Sequence, residues 1–135
     1  MLHEELTNKI ICAFYTVYNT LGHGFLEKVY ENALIVELKL LGLIVSQQEG
    51  LKVYYKGEQI GDYFADIIVN DLVIIELKAT EVLRSDHFAQ LTNYLKATDK
   101  EVGLLLNFGG KPEFKRIVLG NETKTSFTRI TSDNI

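Results

Sequence analysis

Residues 72–79 read LVIIELKA. Four apolar residues lead into Glu76, and Leu77 alone separates it from Lys78. A short, β-branched, apolar run of this kind reads as a buried strand. Buried strands rarely carry a carboxylate and an ammonium unless something requires them there. The segment just before it, DYFADIIV at 62–69, repeats the anomaly with Asp66.

Only Asn70-Asp71 separates the two segments, so they should pair as an antiparallel hairpin. Side chains alternate faces along a strand. Glu76 and Lys78 therefore share a face with Ile74, and Asp66 shares one with Phe64 and Ile68. With a plain two-residue loop, Val69 would oppose Leu72 and Asp66 would oppose Ile75, leaving Asp66 and Glu76 on opposite sides of the sheet. For Asp66, Glu76 and Lys78 to meet, the register must move by one. A three-residue turn or a bulge between Val69 and Leu72 does this, and Asn tolerates the left-handed backbone such turns need.

If they meet, two carboxylates at a strand end form a hard-oxygen site suited to Mg²⁺ or Mn²⁺, with the Leu77 carbonyl as a third ligand. Lys78 beside them can orient or help deprotonate a water, or stabilise charge on a phosphoryl transition state. The chemistry is that of phosphodiester hydrolysis. The plainer alternative is a strand-end ion pair at solvent, with Asp66 an edge residue.

Around this hairpin the pattern is helical on both sides. Residues 4–21 place Leu6, Ile10, Phe14, Val17 and Leu21 at helical spacing, and Gly22 or Gly24 supplies a left-handed stop. A second helix is expected over 26–41, capped by Gly42, and a third over 84–98 with Ser85 as N-cap. Strands are expected at 43–48, 51–56, 59–69 and 72–79, with a hairpin turn at Lys56-Gly57-Glu58. EVGLLLNF at 101–108 is a buried strand reached by a crossover helix, GGKP turns the chain, and 114–120 is an edge strand. The order implies an α/β fold built on a mixed sheet, and one domain over 1–135, with 121–135 a loosely attached tail.

Composition limits the remaining classes. The 135 residues, 47% hydrophobic and 24% charged, suit one soluble core. No run approaches the roughly 18 apolar residues of a membrane span. The N-terminus lacks a secretory pattern, and the single Cys12 cannot pair internally, so a cytoplasmic protein with Cys12 as a core thiol is expected. The net charge of −4 lacks the basic surplus that drives general phosphate binding. His3, His23 and His87 have no metal-ligand spacing, which argues against zinc, and His87 is expected at the surface. Lys28 or Arg84 could meet phosphates, and an exposed Tyr54, Tyr55 or Tyr63 could stack on bases. Gly109-Gly110 reads as a turn.

Two motifs add a resemblance. Asp66, nine residues, then Glu76-Leu77-Lys78 resembles the D…ExK signature of the PD-(D/E)XK nuclease superfamily, with Ala65 where the family name has Pro. GFLEKVY at 24–30 matches G-x-x-E-x-x-Y through Gly24, Glu27 and Tyr30, and so resembles the GxxExxY family, a small bacterial and archaeal group assigned to that superfamily. The resemblance runs from the first helix to about Leu119. It implies a restriction-endonuclease-like fold: a mixed β-sheet of about four strands flanked by helices on both sides. It further implies that Glu27 completes a metal site with Asp66 and Glu76. Gln90, in a Q-x-x-x-Y pattern with Tyr94, would sit near the metal or a phosphate, with Tyr94 as packing.

The resulting expectation is a Mg²⁺- or Mn²⁺-dependent nuclease acting on DNA, with RNA second, carried by Asp66, Glu76, Lys78, Glu27 and Gln90. So small an acidic core would engage nucleic acid as a homodimer or with a partner. The rival expectations are a non-catalytic binding or scaffold module on the same fold, and a component active only when assembled.

Overall fold

The computed structural model describes residues 1–124. Two helices open the chain, α1 (Glu4–Leu21) and α2 (Glu27–Leu40). Strands β1 (Val45–Tyr55), β2 (Glu58–Val69) and β3 (Val73–Lys78) follow. Helix α3 (Ser85–Lys96) then leads to β4 (Val102–Asn107), β5 (Glu113–Val118) and a 3₁₀ turn at Asn121–Thr123. The sheet has five strands in the order β1-β2-β3-β4-β5. Only β3 and β4 are parallel, as expected for strands joined through a helix.

Strand alternation sorts the core into two layers. Val73, Ile75 and Leu77 of β3, with Val102, Leu104 and Leu106 of β4, pack beneath α1 and α2. Ile68, Ile74 and Leu105 face the other way, against Leu91, Tyr94 and Leu95 of α3. Helices thus cover both faces of a mixed sheet, the restriction-endonuclease-like arrangement. Gly103 lets α3 approach, since a Cβ there would stand 2.8 Å from Leu91 Cδ1.

Several details depart from the sequence reading. The expected strands 43–48 and 51–56 are one strand, because Gly50 stays extended against Phe64 and the register is unchanged across Gln48, whose φ is +53°; it shifts only between Val53 and Tyr54. The six strands read from the sequence thus become five, one more than the four or so that the resemblance implies. Cys12 is exposed, because the inner stripe of α1 is Ile10, Ala13, Phe14 and Val17, which puts position 12 on the far side. The N-cap of α3 is Arg84, not Ser85, and His87 is 9% exposed rather than at the surface. Its Nδ1 accepts the Arg84 N–H at 3.0 Å and so closes the helix start. Of the expected tail only residues 121–124 are described, where the Lys124 ammonium donates to the carbonyls of Thr98 and Lys100 at 2.8 Å. The rest of that segment, including Phe127 and Ile130, lies outside the described residues.

Candidate active site

The turn between β2 and β3 has three residues. Ile67 pairs with Ile75, Ile68 with Ile74 and Val69 with Val73, leaving Asn70, Asp71 and Leu72 in the loop. Asn70 and Asp71 take φ of +52° and +55°, and Leu72 N–H donates to Val69 O at 2.9 Å. Asn70 is tied to Ile44 by two bonds, its own N–H to Ile44 O at 2.7 Å and Ile44 N–H to Asn70 Oδ1 at 2.8 Å. This is the one-residue shift that convergence of Asp66 and Glu76 requires.

The β2–β3 ladder ends after these three pairs, while β3 stays paired to β4 through Lys78 and β2 stays paired to β1. The sheet forks there, and backbone groups along the fork lose their cross-strand partners. Carboxylates replace them. Leu77 N–H donates to Asp66 Oδ2 at 2.9 Å, and Asp66 N–H donates to Glu76 Oε1 at 3.2 Å. The two acids thus bridge the fork through the backbone N–H groups of its two strands, which places them side by side.

Glu27 arrives from the other layer, past the end of β3. It is the first residue of α2, and its carboxyl turns toward the backbone N–H of Ala79. The segment before it explains the surrounding motif. Gly24 has φ of +113°, which favours glycine. Tyr30 is fully buried; its hydroxyl donates to Gly22 O and accepts the Phe25 N–H, while its ring stacks on Phe108 at 4.5 Å. Glycine shapes the turn and tyrosine pins it, so the glutamate between them is delivered to the strand end.

Desolvation raises all three acids, although only Glu76 is buried outright, Asp66 being half-buried and Glu27 exposed at the end of its helix. Glu76, 4% exposed, is driven to about 8, first by burial and then by the charge of Asp66. Asp66 is raised by burial, opposed by the Leu77 N–H. Glu27 is raised by desolvation of its carboxyl, opposed by the Lys78 ammonium. The Tyr94 hydroxyl is raised by burial and then by the charge of Glu76. Three acids disfavouring their own negative charge, with one ammonium nearby, make a pocket short of positive charge. Its donors are all hard oxygens, the set a divalent cation takes while keeping several waters. Among the described residues, no three or more His, Cys, Asp or Glu side chains are grouped so as to hold a metal ion, so Asp66, Glu76 and Glu27 do not form a ready-made ligand triad.

Gln90 reaches this place through Tyr94. Its Nε2 donates to the Tyr94 hydroxyl at 3.0 Å, and that hydroxyl lies in the field of Glu76 and Asp66. Tyr94 packs in the core beneath α3, as expected, with its hydroxyl accepting from Gln90. Beside it, Val53 and Tyr63 of the hairpin and Gln90, Asn93 and Lys96 of α3 line a groove of about 480 Å³.

Three residues at the site escaped the sequence reading. Glu31 is 5% exposed, one turn beyond Glu27, and accepts from Lys28 at 3.3 Å, Gln47 at 2.8 Å and Gln48 at 3.1 Å. Gln48 lies opposite Asp66 in the β1–β2 register and donates to its Oδ1 at 3.3 Å. Asn107, 1% exposed, accepts the N–H groups of Thr80 and Gly109 and donates to Thr80 O, all at 3.0 Å. It clamps the chain leaving β3. Gly109 is needed beside it, since a Cβ would stand 2.1 Å from Thr80 O. The i, i+4 spacing of Glu27 and Glu31 was the one local signal for any of these.

Comparison with known proteins agrees with this architecture. The family model described as the PD-(D/E)XK nuclease superfamily matches residues 4–117. The crystal structure of SSO0001 aligns with a TM-score of 0.51 at 15% identity, covering 87% of this chain and 60% of that one, a likeness of fold. This chain thus spans about 60% of that protein's length. No curated protein matches.

Proposed function

The chain belongs to the PD-(D/E)XK nuclease superfamily, and on that premise we propose that it hydrolyses phosphodiester bonds of nucleic acid, DNA before RNA, with Mg²⁺ or Mn²⁺ at the fork. Nucleases of this superfamily generally use divalent metals. The observation that carries the reading is the pair of carboxylates, buried Glu76 and half-buried Asp66, held side by side where β2 and β3 part, with Lys78 two residues on from Glu76. Gly24, Glu27 and Tyr30, each with a physical task in the turn, support placing the chain in the GxxExxY group.

In this reading Asp66 and Glu76 hold the cation, with Glu27 approaching from α2. When bound, the ion supplies a Lewis acid that activates water and offsets phosphate charge. Glu76 gives up its proton as its carboxylate takes up the ligand role. Lys78 Nζ donates to the attacking water or to a nonbridging phosphate oxygen. Tyr94, held by Gln90, offers its hydroxyl on the substrate side. The groove walls carry Asp86 and Lys96 and no basic surplus, so a strand with unpaired bases, stacking on the half-exposed Tyr63, suits this groove better than a duplex held by its phosphates. Assembly as a homodimer gives so small a core a wider surface for substrate.

The test pairs metal titration with cleavage. Mg²⁺ and Mn²⁺ are titrated into the wild type and Glu76→Ala, and both are assayed on single- and double-stranded DNA and RNA. The wild type should bind and cut, and the folded variant should do neither. A folded wild type that binds no metal and cuts nothing at millimolar concentrations removes the nuclease reading for the isolated chain and favours the scaffold alternative.

A further inference from the structure

Helix α2 is apolar on two opposite faces. Tyr30, Leu34, Ile35 and Leu38 fill the core. On the outer side, Leu26, Val29, Val36 and Leu40 are spaced as in a coiled-coil seam, with the small Ala33 at its centre partly buried against the core. Leu26, Val29, Val36 and Leu40 are between 39% and 80% exposed, and Leu41 and Ile44 extend the patch at 47% and 74%. A helix ordinarily shows one apolar stripe, which faces the core, so a second one is surface that a further partner would cover. These residues leave on the order of 600 Å² of largely aliphatic surface in water, at the top of the range for a monomer and close to one side of a standard interface.

The order of residues identifies the occupant. Read from either end, the stripe is Leu, Val, Ala, Val, Leu, centred on Ala33. A surface palindromic about its midpoint is self-complementary under a two-fold axis. Two antiparallel copies would set Leu26 against the partner subunit's Leu40 and Val29 against the partner subunit's Val36. The small Ala33 would lie at the axis, where the helices come closest. No charged residue falls within the stripe, so pairing buries no unpaired charge. We propose that a second copy of this chain covers this face, forming an isologous dimer through antiparallel α2 helices crossing at Ala33. This rests on the α2 surface and stands whether or not the chain is a nuclease.

The test is the mass of the full chain by sedimentation and light scattering, with two variants. The wild type should run as a dimer at micromolar concentration. Val36→Glu, at an exposed position, should be a monomer with an unchanged circular dichroism spectrum. In a Cys12→Ser background, Ala33→Cys should oxidise to a covalent dimer, because a residue on the axis meets its own copy. A monomeric wild type overturns the proposal. So does a dimer that persists in Val36→Glu, or one that Ala33→Cys fails to cross-link, since either places the interface elsewhere.

Discussion

Strands β3 and β4 are neighbours, parallel and equal in length, paired residue for residue from Val73 with Val102 to Lys78 with Asn107. Both are sandwiched between the same helical layers. Yet β4 reads VGLLLN and β3 reads VIIELK, so Glu76 lies beside Leu105 and Lys78 beside Asn107. Asn107 is fully employed, with three bonds to the chain around Thr80 and Gly109. Glu76 is almost as deeply buried, but among the described residues it accepts one long hydrogen bond, from Asp66 N–H at 3.2 Å, and burial drives it to about 8. In one strand end a buried polar group completes the fold. In its neighbour a buried polar group leaves capacity over, and the fold bears the cost of keeping it.

The contrast breaks first on activity. Glu76→Ala or Asp66→Ala should reduce cleavage by about 10³-fold or more, since a site with two holding carboxylates cannot lose one, whereas Leu105→Val beside it should leave turnover within a few-fold. Single-turnover rates on a labelled oligonucleotide make the comparison.

Metal-free stability should separate the strands next. Glu76 sits near 8 in the fold against an ordinary value of 4.5, so between those values the folded chain holds a proton that the unfolded chain has released. Its contribution to stability is therefore present at low pH and lost as pH rises from about 4.5 through 8, by at most about 5 kcal/mol. Asp66 and Glu27, also raised, act with the same sign. Urea melts in chelator across this range should show stability falling, and Glu76→Gln should flatten the slope. Saturating Mn²⁺ should flatten it in the wild type.

Asn107→Ala should cost roughly 2–3 kcal/mol at every pH, because it strands Thr80 and Gly109 backbone groups. Thermal melts with and without Mn²⁺ should show the loss undiminished by metal. The smallest effect should be Tyr63→Ala, which weakens binding of single-stranded oligonucleotide by about 1–2 kcal/mol by fluorescence anisotropy while leaving duplex binding unchanged.

How far the sequence shows all this depends on distance along the chain. The faces of β3 follow from strand parity, whereas the three-residue turn that brings Asp66 to Glu76 follows only once the two acids are required to meet, since parity with a plain two-residue loop sets them on opposite faces. Glu31, Gln48 and Asn107 do not, because each matters through partners 16 to 27 residues away. The left-handed Gln48 carries none of the usual turn residues, and Gly50, which carries one, stays extended. Cys12 looked internal because apolar neighbours surround it in the sequence, but the phase of α1 turns it outward.

The most direct test of the central claim is proton release on metal binding. Mn²⁺ is titrated calorimetrically at pH 7 in buffers of different ionisation enthalpy, which gives the protons released per ion bound. If Glu76 is a ligand held protonated by its burial, about one proton should leave per Mn²⁺ in the wild type, and Glu76→Gln should bind far more weakly with none released. Tight binding without proton release, or binding unchanged in Glu76→Gln, would contradict it.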